Sequence, residues 1–311
     1  MDKNRKILVA ILVFLLMSMV LSLVQINTSM QRKTSASSSN ISISDSRGVG
    51  VVRVSGVISS DTEGHFASMS MHEAVIARID QLASDDNIKA VVLRVDSPGG
   101  TVAATQEIFQ KLMELRQKKP LVVSMGDMAA SGGYYISSAA NHIFANQGTM
   151  TGSIGVIIAA PNFKGLFEKL GIKMNVIKSG KYKDILSSSR DLSDEEKALL
   201  QDLIDNCYSQ FIKDVSLGRN IPIDDFKQYA DGRVFTGSRG VEMKLVDSVG
   251  TFQDAVKKAK ELAKLPSDAP LYDENSSALD RIFGGMGSFF GKNPLGSVTE
   301  NHGLIEYRYV P

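Results

Sequence analysis

The stretch from Gly126 to Tyr135 sets the tightest limit on how this chain folds. It follows an apolar run, Pro120–Met125, that is typical of a short buried strand, and it precedes small residues that favour a helix. Ser131 therefore falls at a strand-to-helix turn, and the glycine after it leaves an unshielded N–H at the positive end of the helix. This pattern predicts a nucleophilic hydroxyl beside an oxyanion hole, with Gly132 as one donor. A Gly/Ser turn without chemistry is the alternative.

Strand and helix patterns alternate on both sides of this turn. Strands are predicted at Val51–Val54, Ala90–Val95, His142–Ala145, Ser153–Ile157 and Lys173–Ile177. Helices are predicted at His72–Leu82, Val102–Arg116, Ser193–Leu217, Asp224–Tyr229 and Phe252–Leu262. Such alternation predicts an α/β fold, with a mostly parallel sheet layered by helices.

The N-terminal region has the character of a membrane anchor. Ile7–Val24 carries no charge and is almost wholly apolar, and Lys3, Arg5 and Lys6 precede it, which favours a cytoplasmic N-terminus. A cleaved signal peptide is the alternative, but the usual small-residue cleavage pattern is not evident after the run. We expect a signal anchor over 1–26, a flexible serine-rich linker over 27–47, a folded domain over 48–265 and an irregular tail over 266–311.

Composition narrows the function. The chain has 35 basic and 34 acidic residues in 311, so no electrostatic feature points to a nucleic-acid partner. A single cysteine and four scattered histidines form no ligand pattern, and we expect no metal and no cofactor.

A second glycine turn and a lysine segment complete the candidate site. Asp96–Gly100 leaves a strand and enters a helix, so Gly99 and Gly100 are candidates for a second oxyanion donor. Because His142 lies eleven residues beyond Ser131, about 16 Å along a helix, a Ser-His-Asp triad is not expected. Lysine is the remaining candidate for the general base, and Lys181 and Lys183 both follow a predicted strand. A lysine acts as a base only if its amine is neutral, which requires burial or a neighbouring cation to lower its pKa.

Four motifs in this order resemble signal peptide peptidase A, a serine peptidase of the ClpP/crotonase fold. They are Asp96–Gly100, Gly126–Tyr135, Thr151–Val156 and Ser179–Asp184. The resemblance covers about 48–265 and is closest to the short, one-repeat bacterial form. It implies that Ser131 is the nucleophile, that Lys183 and not Lys181 is the general base, that Ser153 orients the lysine, and that Gly100 and Gly132 form the oxyanion hole. One departure is Lys244, where the family usually has glycine before Leu-Val-Asp.

The resemblance also implies a biological role. It predicts an endopeptidase of the plasma membrane, single-pass, with the catalytic domain on the extracytoplasmic side, that degrades remnant signal peptides. It further implies a homo-oligomeric ring of about eight copies, with sites that combine Ser131 of one copy and Lys183 of another. A crotonase-type acyl-CoA enzyme and a non-catalytic peptide-binding scaffold are the alternatives.

The C-terminal residues Leu304–Pro311 have a strand-like composition after a glycine-rich segment. An extended tail of this kind either remains a disordered end or adds to an exposed strand edge beside the nucleophile, as a substrate peptide does.

Overall fold

The computed structural model describes residues 47–61, 69–273 and 306–308, the last three by their backbone alone. The predicted anchor, almost all of the linker and most of the tail lie outside these ranges. Among the residues described, no helix is long and apolar enough to cross a membrane.

The strands alternate with helices along the chain. The strands are β1 (Gly48–Ser55), β2 (Ile88–Ser97), β3 (Gly99–Thr101), β4 (Leu121–Ala130), β5 (His142–Ala145), β6 (Met150–Gly152), β7 (Val234–Thr236), β8 (Ser248–Val249), β9 (Leu271–Tyr272) and β10 (Glu306–Arg308). The helices are α1 (Met71–Ser84), α2 (Val102–Lys118), α3 (Gly132–Ser137), α4 (Lys164–Lys169), α5 (Asp194–Arg219), α6 (Ile223–Phe226), α7 (Gly237–Glu242) and α8 (Phe252–Leu262).

The main sheet confirms the predicted α/β class. Its order is β7-β6-β4-β2-β1-β9, with β5 beside β4 and β8 beside β5, and every pair is parallel except β6 with β7. Val91, Leu93 and Val95 of β2 face a large core, whereas Ala90 and Val92 face a smaller core under α8. Helices therefore cover both faces, which is why Ala90–Leu93 of β2 is continuously apolar rather than alternating.

Two predicted strands differ from the structure. The strand expected at Ser153–Ile157 lies earlier, at β6, because the chain leaves the sheet where Ser153 takes a positive φ of 52°. The strand predicted at Lys173–Ile177 is absent, and these residues are exposed and pair with no strand among the described residues. Apolar alternation indicates a strand only where a partner edge exists.

The end of α5 and the tail also correct the sequence prediction. The helix continues past Gly218 to Arg219 and is capped by Asn220, which adopts a left-handed conformation with φ 52°. Gly218 serves packing instead, because a Cβ there would lie 2.4 Å from the Ser138 carbonyl oxygen. The tail predicted as irregular from residue 266 contains β9, which pairs with β1, and β10.

The departure at Lys244 has a visible backbone consequence. Lys244 adopts φ 61°, a left-handed conformation that glycine takes without a steric penalty. The neighbouring side chains pack in the main core, where Leu245 and Val246 are buried and Met243 is partly buried. The departure therefore strains one turn and leaves the fold intact.

Candidate active site

The carboxyl ends of three neighbouring parallel strands bring the sequence motifs together. Ser97 at the end of β2 pairs with Ala129 of β4, and Ala130 pairs with Gly152 of β6. Ser131 and Ser153 each come directly after that last pair. Adjacent strands lie about 4.8 Å apart, so the two serines are neighbours at one edge of the sheet.

Ser131 has the geometry of a strained, poised hydroxyl. Its backbone φ of 52° and ψ of −116° lie outside the regions that a non-glycine residue normally occupies. The turn is held by the Ser131 N–H, which donates to the Gly152 carbonyl at 2.8 Å, and by the Ser131 carbonyl, which accepts from the Tyr135 N–H at 2.8 Å. The side chain is buried, yet its Oγ has no hydrogen-bond partner among the described residues. An unpaired buried hydroxyl costs about 1–3 kcal/mol, and at Ser131 this cost coincides with backbone strain, a combination that points to a functional group.

The second glycine turn directs one backbone donor, the Gly100 N–H, away from Ile58. The Gly99 N–H is already taken, because it donates to Ser97 Oγ at 3.1 Å. On one side of β3, the Thr101 N–H donates to the Ile58 carbonyl and the Gly99 carbonyl accepts from the Ile58 N–H, both at 2.8 Å. Because successive residues of a strand point their backbone groups to opposite edges, the Gly100 N–H points to the other edge of β3. A Cβ at Gly100 would lie 1.8 Å from the Ile58 carbonyl oxygen, which only glycine avoids. Of the two residues predicted as candidates for the second oxyanion donor, Gly99 and Gly100, only Gly100 has its N–H directed away from the turn.

Ser97 is a residue that sequence reasoning missed. It is fully buried, and its Oγ donates to the Gly56 carbonyl at 2.6 Å while accepting from Gly99. Its own carbonyl lies against Gly133, where a Cβ would come within 2.7 Å. Ser97 therefore joins the Gly100 turn to the helix that Ser131 begins. The sequence signal that could have identified Ser97 is its place two residues before Gly99, because a serine hydroxyl often accepts the backbone N–H two residues later in a turn.

The edge of β3 that Gly100 faces is occupied by the chain's own tail. Strand β10 pairs antiparallel with β3, with Tyr307 opposite Gly100 and Arg308 opposite Gly99. Helix α3, which begins beside Ser131, packs against both β3 and β10. Of the two alternatives for the tail, these three residues therefore follow the second and add to a strand edge.

The histidine nearest in sequence lies elsewhere. His142 pairs in register with Val122 on β4, nine residues before Ser131, which corresponds to about 30 Å along the strand. Its Nε2 contacts Ser248 Oγ, and burial lowers its pKa. His142 is therefore not a base for Ser131 within this chain.

The two candidate lysines have different environments. Lys181 is paired with Glu195, and this hydrogen bond raises the pKa of Lys181, which is the wrong direction for a general base. Lys183 is exposed, and its amine has no hydrogen bond or ion pair among the described residues. This contrast favours Lys183 over Lys181.

The structure does not bring Lys183 to Ser131 in the same chain. The lysine segment is fixed to the first turn of α5 through Glu195 and Glu196. Phe211 of the same helix stacks on Tyr135 of α3, with ring centroids 4.5 Å apart. Seventeen residues separate Asp194 from Phe211, so the start of α5 projects about 26 Å beyond that contact.

A cleft of about 570 Å³ lies beside Ser153. It is lined by Ser153–Ile157, by Ile204 and Tyr208 of α5, and by Ala230–Gly232. The Tyr208 hydroxyl donates to the Ala230 carbonyl at 2.6 Å and fixes one wall. Ser153, the residue next to the Ala130–Gly152 strand pair, therefore lines an open cleft.

Known proteins share this sequence over most of the described fold. The family model for peptidase family S49 matches residues 113–266, and the model for Clp protease matches residues 64–152. A Synechocystis sp. protein named as a candidate protease is 42% identical over 257 residues, 82% of this chain and 87% of the relative.

Two further relatives carry more specific names. An Enterococcus faecium protein named as a candidate signal peptide peptidase is 37% identical over 215 residues, 68% of this chain and 62% of the relative. The chloroplastic serine protease SPPA of Arabidopsis thaliana is 35% identical over 246 residues, 78% of this chain and 36% of the relative. The chain thus spans about a third of this longer relative. The chain belongs to peptidase family S49 and is a serine peptidase similar to signal peptide peptidase A.

Proposed function

We propose that this serine peptidase is a membrane-anchored endopeptidase in which Ser131 is the nucleophile and Lys183 is the general base. The observation that carries the proposal is the Ser131 hydroxyl, which is buried, unpaired and held in a strained turn at the start of a helix. Strain and an unsatisfied hydroxyl are costs that a purely structural serine has no reason to retain.

The chemistry follows from these groups. A neutral Lys183 amine takes the proton from Ser131 as Oγ attacks the scissile carbonyl carbon. The backbone N–H groups of Gly100 and Gly132 donate to the resulting oxyanion. The tetrahedral intermediate collapses, the lysine returns the proton to the leaving amine, and an acyl-enzyme remains on Ser131. A water molecule, deprotonated by the same lysine, then releases the acid.

The substrate proposed is an extended peptide, and specifically a remnant signal peptide. Support for the extended form is β10, which shows that the β3 edge beside α3 accepts an antiparallel strand. Support for signal peptides is the resemblance to signal peptide peptidase A and the name of the Enterococcus faecium relative. A plasma-membrane anchor at residues 7–24, with the catalytic domain on the extracytoplasmic side, places the site beside membrane-borne peptides.

The dyad is proposed to form between copies. Lys183 is attached to the projecting end of α5, and a second copy that buries it beside Ser153 removes the amine from water and lowers its pKa toward the neutral form. The same region exposes apolar side chains that a partner would cover: Ile157, Phe163, Leu166, Leu170, Ile172, Met174, Val176, Ile177, Leu199 and Leu203. The resemblance implies a closed ring of about eight copies, joined by a heterologous contact.

Labelling with a fluorophosphonate probe tests the assignment of the nucleophile and base. Full-length protein is expected to gain one probe mass on the peptide that contains Ser131, whereas Ser131→Ala protein gains none. Lys183→Ala is expected to slow labelling by at least about 100-fold, while Lys181→Ala stays near wild type. Labelling elsewhere in the chain, or loss of labelling in Lys181→Ala alone, contradicts the proposal.

A further inference from the structure

The turn that carries Lys183 is held by its neighbours in sequence. Of the four residues 181–184, Lys181, Tyr182 and Asp184 each have a side-chain partner, and Lys183 alone has none among the described residues. The Lys183 N–H donates to the Gly180 carbonyl at 3.2 Å, which closes the turn. The free amine is therefore presented by a segment whose other members are anchored.

Arg190 and Lys178 both hold Asp184 on one side of Lys183, and Arg190 makes the larger number of contacts. Its Nε and Nη2 donate to the two carboxylate oxygens of Asp184 at 3.0 and 2.9 Å. Nη2 also donates to the Asp184 backbone carbonyl at 3.0 Å. Arg190 thus holds both the side chain and the backbone of the residue directly after Lys183.

The same guanidinium reaches the start of α5. Nη1 and Nη2 donate to the two oxygens of Glu196 at 2.8 and 2.6 Å. Glu196 is buried and accepts the Ser193 N–H at 2.9 Å, so it is itself fixed by the helix cap. Two bidentate carboxylate contacts on one guanidinium define its plane and position, which a lysine at this site does not reproduce.

The opposite side of the turn is attached to the same helix end. Lys181 and Tyr182 both bond to Glu195, the residue next to Glu196. The residues on both sides of Lys183 are therefore attached to the first turn of α5. The contact through Glu195 is exposed, and the contact through Arg190 and Glu196 is partly shielded from water. The Arg190 contact is the stronger candidate for fixing the position of the lysine turn, because ion pairs exposed to water contribute little to stability.

We propose that Arg190 is a positioning residue for the Lys183 amine. By joining Asp184 to Glu196 it fixes where Lys183 projects from the end of α5, and so the position at which the amine meets a serine nucleophile. This inference rests on the proposed role of Lys183. It adds a residue that has no contact with the reacting atoms and acts only through the lysine turn.

Steady-state peptide hydrolysis by full-length variants tests the inference. Arg190→Ala and Arg190→Lys are expected to lower kcat by about 10- to 100-fold with KM changed by less than about threefold, since a misplacement near 1 Å costs about 100-fold in rate. Lys164→Ala is the matched control, because Lys164 pairs with Asp191 in the same segment and leaves the lysine turn untouched. It is expected to match wild type. Thermal melting and light scattering verify that each variant is folded and assembled.

A double variant separates positioning from other roles. If Arg190 acts through Lys183, Arg190→Ala combined with Lys183→Ala hydrolyses no more slowly than Lys183→Ala alone. A further tenfold loss in the double variant, or wild-type kcat in Arg190→Ala, overturns the inference. If Arg190→Ala does not fold, Arg190→Lys decides by the same criteria. Wild-type kcat in Lys183→Ala instead overturns the proposed base, a result distinguishable from failure of the Arg190 role.

Discussion

Replacing Gly133 with alanine separates the two halves of the proposed oxyanion hole. A Cβ at this position would lie 2.7 Å from the Ser97 carbonyl oxygen. An ordinary contact between carbon and oxygen is about 3.3–3.6 Å, so α3 must move from the end of β2 by about 0.6 Å or more. Because Ser97 also holds Gly99, this movement shifts the Gly100 N–H relative to Ser131.

The expected effect on rate is larger than the effect on stability. A displacement of this size predicts a loss of about 10- to 100-fold in kcat. Overpacking costs typically about 1–3 kcal/mol, and alanine in place of glycine within a helix returns about 0.5–1 kcal/mol. The free energy of unfolding should therefore fall by about 0–2.5 kcal/mol, and the protein should remain folded.

Peptide hydrolysis and urea unfolding of full-length Gly133→Ala protein measure both quantities. Gly148→Ala is the matched control, since a Cβ there meets nothing within 4 Å. It should retain wild-type kcat and a free energy of unfolding within about 0.5 kcal/mol of wild type. Wild-type kcat in folded Gly133→Ala protein, or an equal loss in Gly148→Ala, refutes the reasoning.

Three further predictions concern the tail, a strained turn and acid stability. Deleting residues 304–311 frees the β3 edge and should lower KM for a peptide substrate at unchanged kcat; an unchanged KM means that β10 does not compete with substrate. Lys244→Gly removes a left-handed lysine and should raise the free energy of unfolding by about 0.5–1 kcal/mol in urea titrations, whereas Lys244→Ala should give no gain. The Arg190 guanidinium lowers the pKa of Glu196 to about 2, so the stability that this charge contributes is present above the unfolded pKa of about 4.3 and is lost as pH falls toward 2. The difference in melting temperature between wild type and Glu196→Gln should therefore shrink over that interval, and a constant difference contradicts the assignment.

The sequence was most informative where function depends on local backbone. The turn at Ser131 and the glycine turn after β2 were predicted from neighbouring residues alone, because glycine requirements and strand-to-helix turns are local properties. The pairing of Ala130 in β4 with Gly152 in β6 then brings Ser153 beside Ser131, because the two parallel strands end at the same level.

Features that depend on distant partners were not predictable. Lys173–Ile177 alternates polar and apolar residues as a strand does, but it has no partner strand among the described residues. Gly218 resembled a helix stop, yet its role is to admit the Ser138 carbonyl from another helix end. The contacts of Ser97 with Gly56 and Gly133, far apart in the sequence, likewise depend on the folded arrangement.

Mixing two impaired variants tests most directly whether Ser131 and Lys183 act together between copies. Full-length Ser131→Ala and Lys183→Ala proteins are each expected to lose at least about 100-fold in activity, and co-assembly should create some sites that contain both an intact serine and an intact lysine. The predicted result is recovered peptide hydrolysis in the mixed assembly, with fluorophosphonate labelling confined to Ser131 of the Lys183→Ala chains. Co-assembled protein that stays inactive, or an active species that light scattering shows to be monomeric, contradicts a site shared between copies.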